Sequence, residues 1–290
     1  MPTPEFRKQY LMNFKHVHRI AALSVALACA NASALQSGED VPFITSPDNV
    51  TLEMLSAARV GPKDHVLDLG SGDGRIVITA AKRFGASGMG VEIVPDLVER
   101  SNRSAKDAGV ADRVSFRVQD LFKTDLAQAT VITMYLLQEV NLQLRPAILG
   151  LKPGTRVVSH DWDMGDWAPD RTTVVAVPDK KVGLEKSSKI HLWTVPAKVA
   201  GLWCGAGLLR GASLELAQKF QRFEGTLRHR NRARELKGTV EGSTLRSVTE
   251  KAGELVLEVS GSQMRLVAAG GPLTLAQGQS FTRAGPEGCR

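Results

Sequence analysis

Three closely spaced glycines and two carboxylates are the residues best placed to do binding chemistry. They lie in Val66-Leu67-Asp68-Leu69-Gly70-Ser71-Gly72-Asp73-Gly74-Arg75 and, further on, in Gly90-Val91-Glu92. Alternating glycines let the backbone turn sharply and come close to a ligand, because no Cβ intervenes. A carboxylate ending the next strand, as Glu92 would, can accept both hydroxyl protons of a ribose. The spacing is not the dinucleotide fingerprint Gly-x-Gly-x-x-Gly. Counted from Gly70 its last position falls on Arg75, and counted from Gly72 on Val77. A glycine turn in some unrelated α/β protein is the competing reading.

The elements that must position these residues are legible. Val66, Leu67 and Leu69 form a short apolar run, as in a buried parallel strand. Ile76, Val77, Ala80 and Ala81 follow at helical spacing. A helix from about Pro95 to Ala108 stops at Gly109. Val114 to Leu121 reads as a third strand, Thr130 to Leu136 as a fourth, and Leu151 to Val158 as a turn and fifth strand, with a connecting helix near Leu142 to Leu149. Thr173–Val177 and Lys189–Val195 read as two closing strands, so this domain ends near Pro196. Ahead of it, Pro42-Phe43-Ile44-Thr45-Ser46-Pro47 leads into a helix from about Asp48 to Arg59, with Val50, Met54, Leu55 and Ala58 on one face. That helix is either a lid over the ligand or an ordinary packing helix.

The Asp-x-Gly-x-Gly-x-Gly run resembles motif I of class I S-adenosylmethionine-dependent methyltransferases. The resemblance implies a Rossmann-like seven-stranded α/β sheet. In it the loop Gly70, Ser71, Gly72, Asp73 and Gly74 cradles the cofactor, Asp68 holds its amino group and Glu92 its ribose. Asp120, followed by Leu121, matches the residue that meets the adenine amino group, and Leu151-Lys152-Pro153-Gly154 resembles the family's turn before strand five. With the Pro-Phe-Ile-Thr-Ser-Pro lead-in and Gln119-Asp120-Leu121-Phe122-Lys123-Thr124-Asp125-Leu126, the chain resembles bacterial relatives of the FAM173-type protein lysine methyltransferases over about residues 42–160. In animals these act on mitochondrial membrane proteins. The resemblance implies methyl transfer to a protein amine. Transfer to a small molecule, or a non-catalytic cofactor-binding role at the envelope, are the alternatives. Ser159-His160-Asp161-Trp162-Asp163 departs from the family pattern.

An acceptor site in such a fold lies beyond the carboxyl ends of strands four and five. That points to Tyr135, His160, Asp161 and Asp163 as catalytic candidates, with Trp162 and Trp167 as candidate walls. An amine must be neutral to attack, so a base or a desolvating pocket is expected. Each residue alone could equally be an ordinary loop residue.

The 290 residues fit one large or two modest domains, and 43% apolar composition supports a sizeable core. The formal charge of +7 is uneven. Residues 1–34 hold 4 Lys and Arg against 1 Asp and Glu, residues 35–197 hold 19 against 21, and residues 198–290 hold 14 against 8. The near-neutral middle argues against a dedicated nucleic-acid enzyme. Lys15, His16, His18 and Arg19, then apolar Ile20–Ala30, then Ala32-Ser33-Ala34 read as a signal peptide over residues 1–34, with export to the periplasm or its membrane as the expectation. A buried helix and a cytoplasmic protein are the alternative. Export would require a supply of S-adenosylmethionine outside the compartment that makes it.

Residues 35–62 form a lead-in, 63–196 the methyltransferase domain, and 197–290 a small all-β domain. In the last, Ser213–Leu216, Phe223–Leu227, Glu254–Val259 and Gln263–Leu266 alternate, giving a small antiparallel barrel or sandwich. Arg228, Arg230, Arg232 and Arg234 crowd one hairpin, as a solvated loop or as a contact for a membrane or anionic envelope surface. Cys204 and Cys289 bracket the domain and either pair or stay free thiols. No Cys/His spacing points to a metal.

Overall fold

The structure is a computed structural model that describes residues 43–181, 185–249 and 253–289. The signal-like stretch over residues 1–34 lies outside the described residues. The chain divides into Met1–Ile44 and Thr45–Arg290, and the second unit carries every regular element that follows.

Helix α1 (Asp48–Ala57) packs its Val50, Met54 and Leu55, all fully buried, into the core beneath the sheet. Its C-terminal carbonyls are bonded by side chains from the sheet. Arg156 Nη1 donates to Ala58 O at 2.6 Å, and Arg171 Nη2 to Ala57 O at 3.0 Å. Cations at a helix C-terminus satisfy orphan carbonyls and oppose the helix dipole. Of the two readings, α1 is therefore a packing helix and not a lid.

Strand β1 (His65–Leu69) is flanked by β2 (Ser87–Glu92) and β4 (Val131–Met134). With β3 (Val114–Val118), β5 (Arg156–His160), β6 (Arg171–Ala176) and β7 (Ser187–Thr194) they form one sheet, ordered β3-β2-β1-β4-β5-β7-β6. The first five strands and β6 share one direction, and β7, between β5 and β6, runs antiparallel to both of them. The strand order reverses between β1 and β4, and ligands of open α/β sheets bind at such a reversal, beyond the carboxyl ends. This is the expected seven-stranded methyltransferase sheet. Helices α2 (Arg75–Phe84), α3 (Pro95–Asp107) and α4 (Gln138–Ile148) make the crossovers.

Two boundaries differ from the sequence reading. The third strand stops at Val118, because Asp120 Oδ1 accepts the Phe122 N–H at 2.9 Å and caps a 3-10 turn over Leu121–Lys123. Helix α4 begins at Gln138, not Leu142; its buried face is Asn141, Leu144 and Ile148, whereas Leu142 is 36% exposed. The apolar positions alone misplace its first turn.

The remaining strands, β8 (Gly201–Gly205), β9 (Ala212–Lys219), β10 (Arg222–His229), β11 (Arg232–Glu241), β12 (Thr244–Thr249), β13 (Gly253–Ser260), β14 (Gln263–Ala269) and β15 (Ser280–Arg283), close into an eight-stranded barrel. Each strand pairs antiparallel with the next, and β15 returns to β8. Of barrel and sandwich, it is a barrel. Its interior is filled by side chains such as Trp203, Leu214, Phe223, Leu257 and Phe281.

One end of the barrel is fastened to the sheet. The Phe220 ring stacks on Trp167 at 6.0 Å, Arg145 lies 5.5 Å from the Phe220 centroid, Gln221 Nε2 donates to Ala168 O at 2.7 Å, and Ala197 N donates to Gly242 O at 2.7 Å. Trp167 is thus 1% exposed inside this junction and does not wall an acceptor pocket. Its ring is taken by Phe220 and Trp193.

Cys204 in β8 is bonded to Cys289, 85 positions later in sequence. Closing a loop of that length removes denatured-state entropy worth about 4–5 kcal/mol. Cys204→Ser is expected to lower unfolding free energy by roughly that amount in urea melts of the oxidised protein, and to have no effect on the protein kept in reductant.

Candidate active site

The glycine turn joins β1 to α2 with every glycine in the left-handed region: φ is 73° at Gly70, 53° at Gly72 and 78° at Gly74. Backbone bonds clamp the turn to the end of β2. Gly70 N and Ser71 N both donate to Val91 O, at 3.0 and 2.9 Å. A Cβ at Gly74 would lie 2.7 Å from the Phe116 ring and 2.9 Å from Ser101 Cβ, so no larger residue fits there. Ser101 Oγ, from α3, donates to Gly72 O at 3.0 Å. Ser101 is not legible in the sequence, since a serine inside a helix carries no motif.

Asp68 is 2% exposed at the end of β1 and accepts the Thr133 hydroxyl at 2.7 Å. Burial pushes its carboxyl up to about 7; the Thr133 bond opposes this, and the Glu92 and Asp73 charges add to it. A buried carboxyl so raised is primed for a cationic partner, whose charge would restore the ionised form.

Glu92 ends β2. Its Oε2 accepts the Gly72 N–H at 3.0 Å, and its Oε1 accepts Ile93 N and Val94 N at 2.8 and 3.1 Å. The carboxylate is thereby fixed in direction, and Oε2 keeps a lone pair for a hydroxyl. Asp120 follows at the neighbouring strand end, which is held beside Glu92 by a bond from Gln119 N to Glu92 O at 2.9 Å. Ile93 and Phe122, beside these two acids, are 69% and 51% exposed. Sequence reasoning does not single out either; the signal is an apolar residue just after each acid. Leu121 is part-buried in the core. Asp73 is engaged within the turn by Arg75 at 2.7 Å, and Arg75 also donates to Ser46 O at 3.0 Å.

The acceptor side begins at Tyr135, the residue after β4. Leu136 lies so near the turn that a Cβ on Gly70 would meet its Cδ2 at 2.9 Å. The Tyr135 ring stacks on His160 at 3.8 Å, and its hydroxyl makes no hydrogen bond to a described residue. His160 is 1% exposed, with Nδ1 2.9 Å from Ser46 Oγ and Nε2 2.9 Å from Ser188 Oγ. Burial and the nearby Lys180 charge hold its pKa well below the ordinary histidine value against the pull of Asp161, so it is neutral at pH 7. Asp161 takes a left-handed φ of 62°, accepts Lys180 Nζ at 2.8 Å and accepts Lys189 N at 2.9 Å. Burial raises its pKa, but these donors and the neighbouring charges outweigh it and keep Asp161 ionised. Asp163 Oδ1 accepts Gln138 Nε2 at 2.5 Å and Gly165 N at 2.8 Å. The four catalytic candidates therefore sit at one edge, and Tyr135 is the one whose side chain makes no hydrogen bond to a described residue, while Asp163 is held through Oδ1 alone. Trp162 and Leu137 flank that edge, 41% and 47% exposed. Among the described residues no cluster of His, Cys, Asp and Glu could hold a metal.

The family model for the ANTKMT methyltransferase domain matches residues 68–171. A protein-lysine N-methyltransferase of Saccharolobus islandicus is 43% identical over 141 residues, which is 48% of this chain and 86% of that protein. The chain belongs to this methyltransferase family. A mouse lysine N-methyltransferase named for an ATP synthase component is 36% identical over 46% of this chain and 53% of its own length, so the chain spans about half of that relative. A solved structure of an RNA methyltransferase from Salinibacter ruber, in complex with S-adenosyl-L-homocysteine, is 51% identical over 54% of this chain and 96% of that one, with a TM-score of 0.48.

S-adenosylmethionine is the cofactor of this family, and the residues present fit it. Ser71 Oγ is buried in the turn without a protein partner, an orphaned polar atom of the kind a ligand satisfies. The turn, Asp68, Glu92 and Asp120 would hold the cofactor's methionine end, ribose and adenine, with Ile93 and Phe122 against the base. Because Asp68 must lose its proton to meet a cation, affinity for S-adenosylmethionine is expected to fall about tenfold per pH unit below 7. Calorimetry from pH 5.5 to 8 checks this. Asp68→Asn should bind at least tenfold more weakly at pH 8 and lose the pH dependence.

Proposed function

We propose that this protein is an exported enzyme that transfers a methyl group from S-adenosylmethionine to the side-chain amine of a lysine in another protein. The observation that carries the acceptor assignment is the edge beside the glycine turn, where Tyr135 offers an unengaged hydroxyl and Leu137 and Trp162 are exposed. An extended aliphatic side chain can lie along such apolar walls while its amine reaches the polar end. The names of the relatives support the same acceptor: a protein-lysine N-methyltransferase in an archaeon, and a lysine N-methyltransferase named for an ATP synthase component in the mouse.

S-adenosylmethionine, when bound, would supply an electrophilic methyl group to a neutral amine nitrogen, its sulfur leaving as the neutral thioether S-adenosylhomocysteine. The chain's own residues orient the two partners and exclude water. Tyr135 Oη accepts from the incoming amine and aims its lone pair. His160 and Asp161 are hydrogen-bonded on both of their side-chain polar atoms, whereas Asp163 is held through Oδ1 alone, and removal of the ammonium proton is assigned to none of the three. The proton leaves to solvent as the lysine enters the site.

Export is supported by the signal-like residues 1–34 and by the Cys204–Cys289 bond, since such pairs persist in oxidising compartments. In a bacterial expression host, intact-mass analysis of the envelope fraction should find a disulfide-bonded chain lacking its first 34 residues. A full-length, reduced chain in the cytoplasm would refute export.

The acceptor assignment is tested by incubating the chain with labelled cofactor and an envelope protein fraction, followed by mass spectrometry. Methyl-lysine is the expected product; label found only in small molecules or RNA would overturn it. With a lysine peptide and cofactor kept saturating at every pH, so that the Asp68 titration does not enter, kcat/KM for the peptide should climb about tenfold per pH unit from 6 to 9, without a break near 6.5, as the acceptor amine near 10.4 loses its proton. Tyr135→Phe should lower kcat roughly 10- to 100-fold and leave cofactor affinity unchanged.

A further inference from the structure

The barrel registers sort its connections between two ends. The turns after Lys219 and Glu241 lie at the end fastened to the sheet. The segments 206–211 and 270–279 and the hairpin tip at Arg230 and Asn231 lie at the other. At this far end Leu208 and Leu275 occupy two 3-10 turns, Gly207–Leu209 and Gly271–Ala276, and are 69% and 85% exposed. The two turns are linked: Leu208 N donates at 3.2 Å to Oε1 of Gln279, just past the second turn. Val248 and Val267, toward the same ends of β12 and β14, are exposed as well. Arg210, Arg228, Arg230 and Arg232 lie at the same end of the barrel, all exposed and without an ion pair among the described residues. The hairpin stands beside the start of β9, because His229 pairs with Ala212.

We infer that this end of the barrel docks on an anionic lipid surface, with Leu208 and Leu275 entering the headgroup region and Arg210, Arg228, Arg230 and Arg232 meeting lipid phosphates. The inference deepens the exported reading above and rests on it for its setting. Two aliphatic side chains held out on loop tips form prongs rather than a groove, a shape suited to insertion into a soft layer and poorly suited to a rigid partner. Four guanidinium groups at the same end supply the second signal that stable attachment requires. A single-stranded nucleic acid is the other polyanion to weigh, and it is bound by bases stacking on aromatic rings. The exposed aromatic side chains among the described residues are Phe43, Phe122 and Trp162, and none belongs to the barrel. The arrangement also fixes orientation: the end of the barrel bonded to the catalytic sheet is the one opposite the leucines.

The test is sedimentation of the full chain with vesicles of phosphatidylcholine alone and with a third phosphatidylglycerol. Wild-type protein is expected to bind the anionic vesicles at least tenfold more tightly, and to release as salt rises from about 0.05 to 0.5 M. Arg228→Glu, Arg230→Glu and Arg232→Glu together should weaken binding about 100-fold, since each basic residue near such a surface contributes about fivefold. Leu208→Asp with Leu275→Asp should weaken it at least tenfold. Both variants should keep wild-type cofactor affinity and melting temperature, which separates lost docking from lost folding. Equal binding to both vesicles, wild-type binding by both variants, or retention on RNA without vesicle binding would each overturn the inference. Methylation assays do not enter this comparison, so failure here leaves the lysine assignment standing, and the reverse holds too.

Discussion

The catalytic half of the protein depends on one backbone constraint: the chain leaving β1 must bend through the left-handed region while touching β2. The residues of the turn meet that demand by having no side chain or by bonding inward. Val91 O receives two N–H groups, Glu92 receives a third, and Ser101 returns a hydroxyl bond to Gly72. The gap the turn occupies is set by Gly90 as well, where a Cβ would lie 2.6 Å from Ser71. Everything that would hold the cofactor hangs from this clamp. Asp68 precedes it, Ser71 sits within it, and Glu92 is part of the clamp as well as the residue that would meet the ribose. Loss of Glu92 would therefore remove the bond that its Oε2 gives the turn at Gly72.

A second network steadies the acceptor edge. Ser46, from the segment before α1, bonds His160 through its hydroxyl and Arg75 through its carbonyl. It thus joins the lead-in, the end of β5 and the start of α2. His160 in turn stacks under Tyr135. The histidine acts by position: buried and neutral, it holds a ring beneath the tyrosine instead of moving protons. Asp161 and Lys180 brace the same corner from outside.

Much of this is legible in the sequence because parallel strands buried on both faces leave apolar runs, and because glycine has few substitutes in a left-handed turn. Asp68, Glu92 and Asp120 stand at the ends of such runs, at the carboxyl ends of neighbouring strands. What the sequence hides has a physical cause. Ser101 and Ser46 act through single hydroxyl or carbonyl bonds that no spacing announces. Trp167 follows β5 and so reads as a pocket wall, yet it is consumed by Phe220 from a domain whose docking the sequence does not encode locally. β11 carries Arg232, Arg234, Glu235 and Lys237 and looks like a charged loop. In a closed barrel half of every strand faces water, so most of its charges point outward while Leu236 and Val240 fill the inside.

The closure of that barrel also has a temporal side. β8 finds its second neighbour only in β15, and Cys204 finds its sulfur partner 85 residues later. The sheet, by contrast, is complete at Thr194, before β8 begins. Synthesis runs from the amino terminus, and domains fold largely as units in that order. The catalytic half can thus reach its final form while the barrel is still an open meander with two bare edges. Such edges invite pairing with other chains. The last stretch of the polypeptide is what seals them, so a truncation ahead of Ser280 would endanger solubility far more than catalysis.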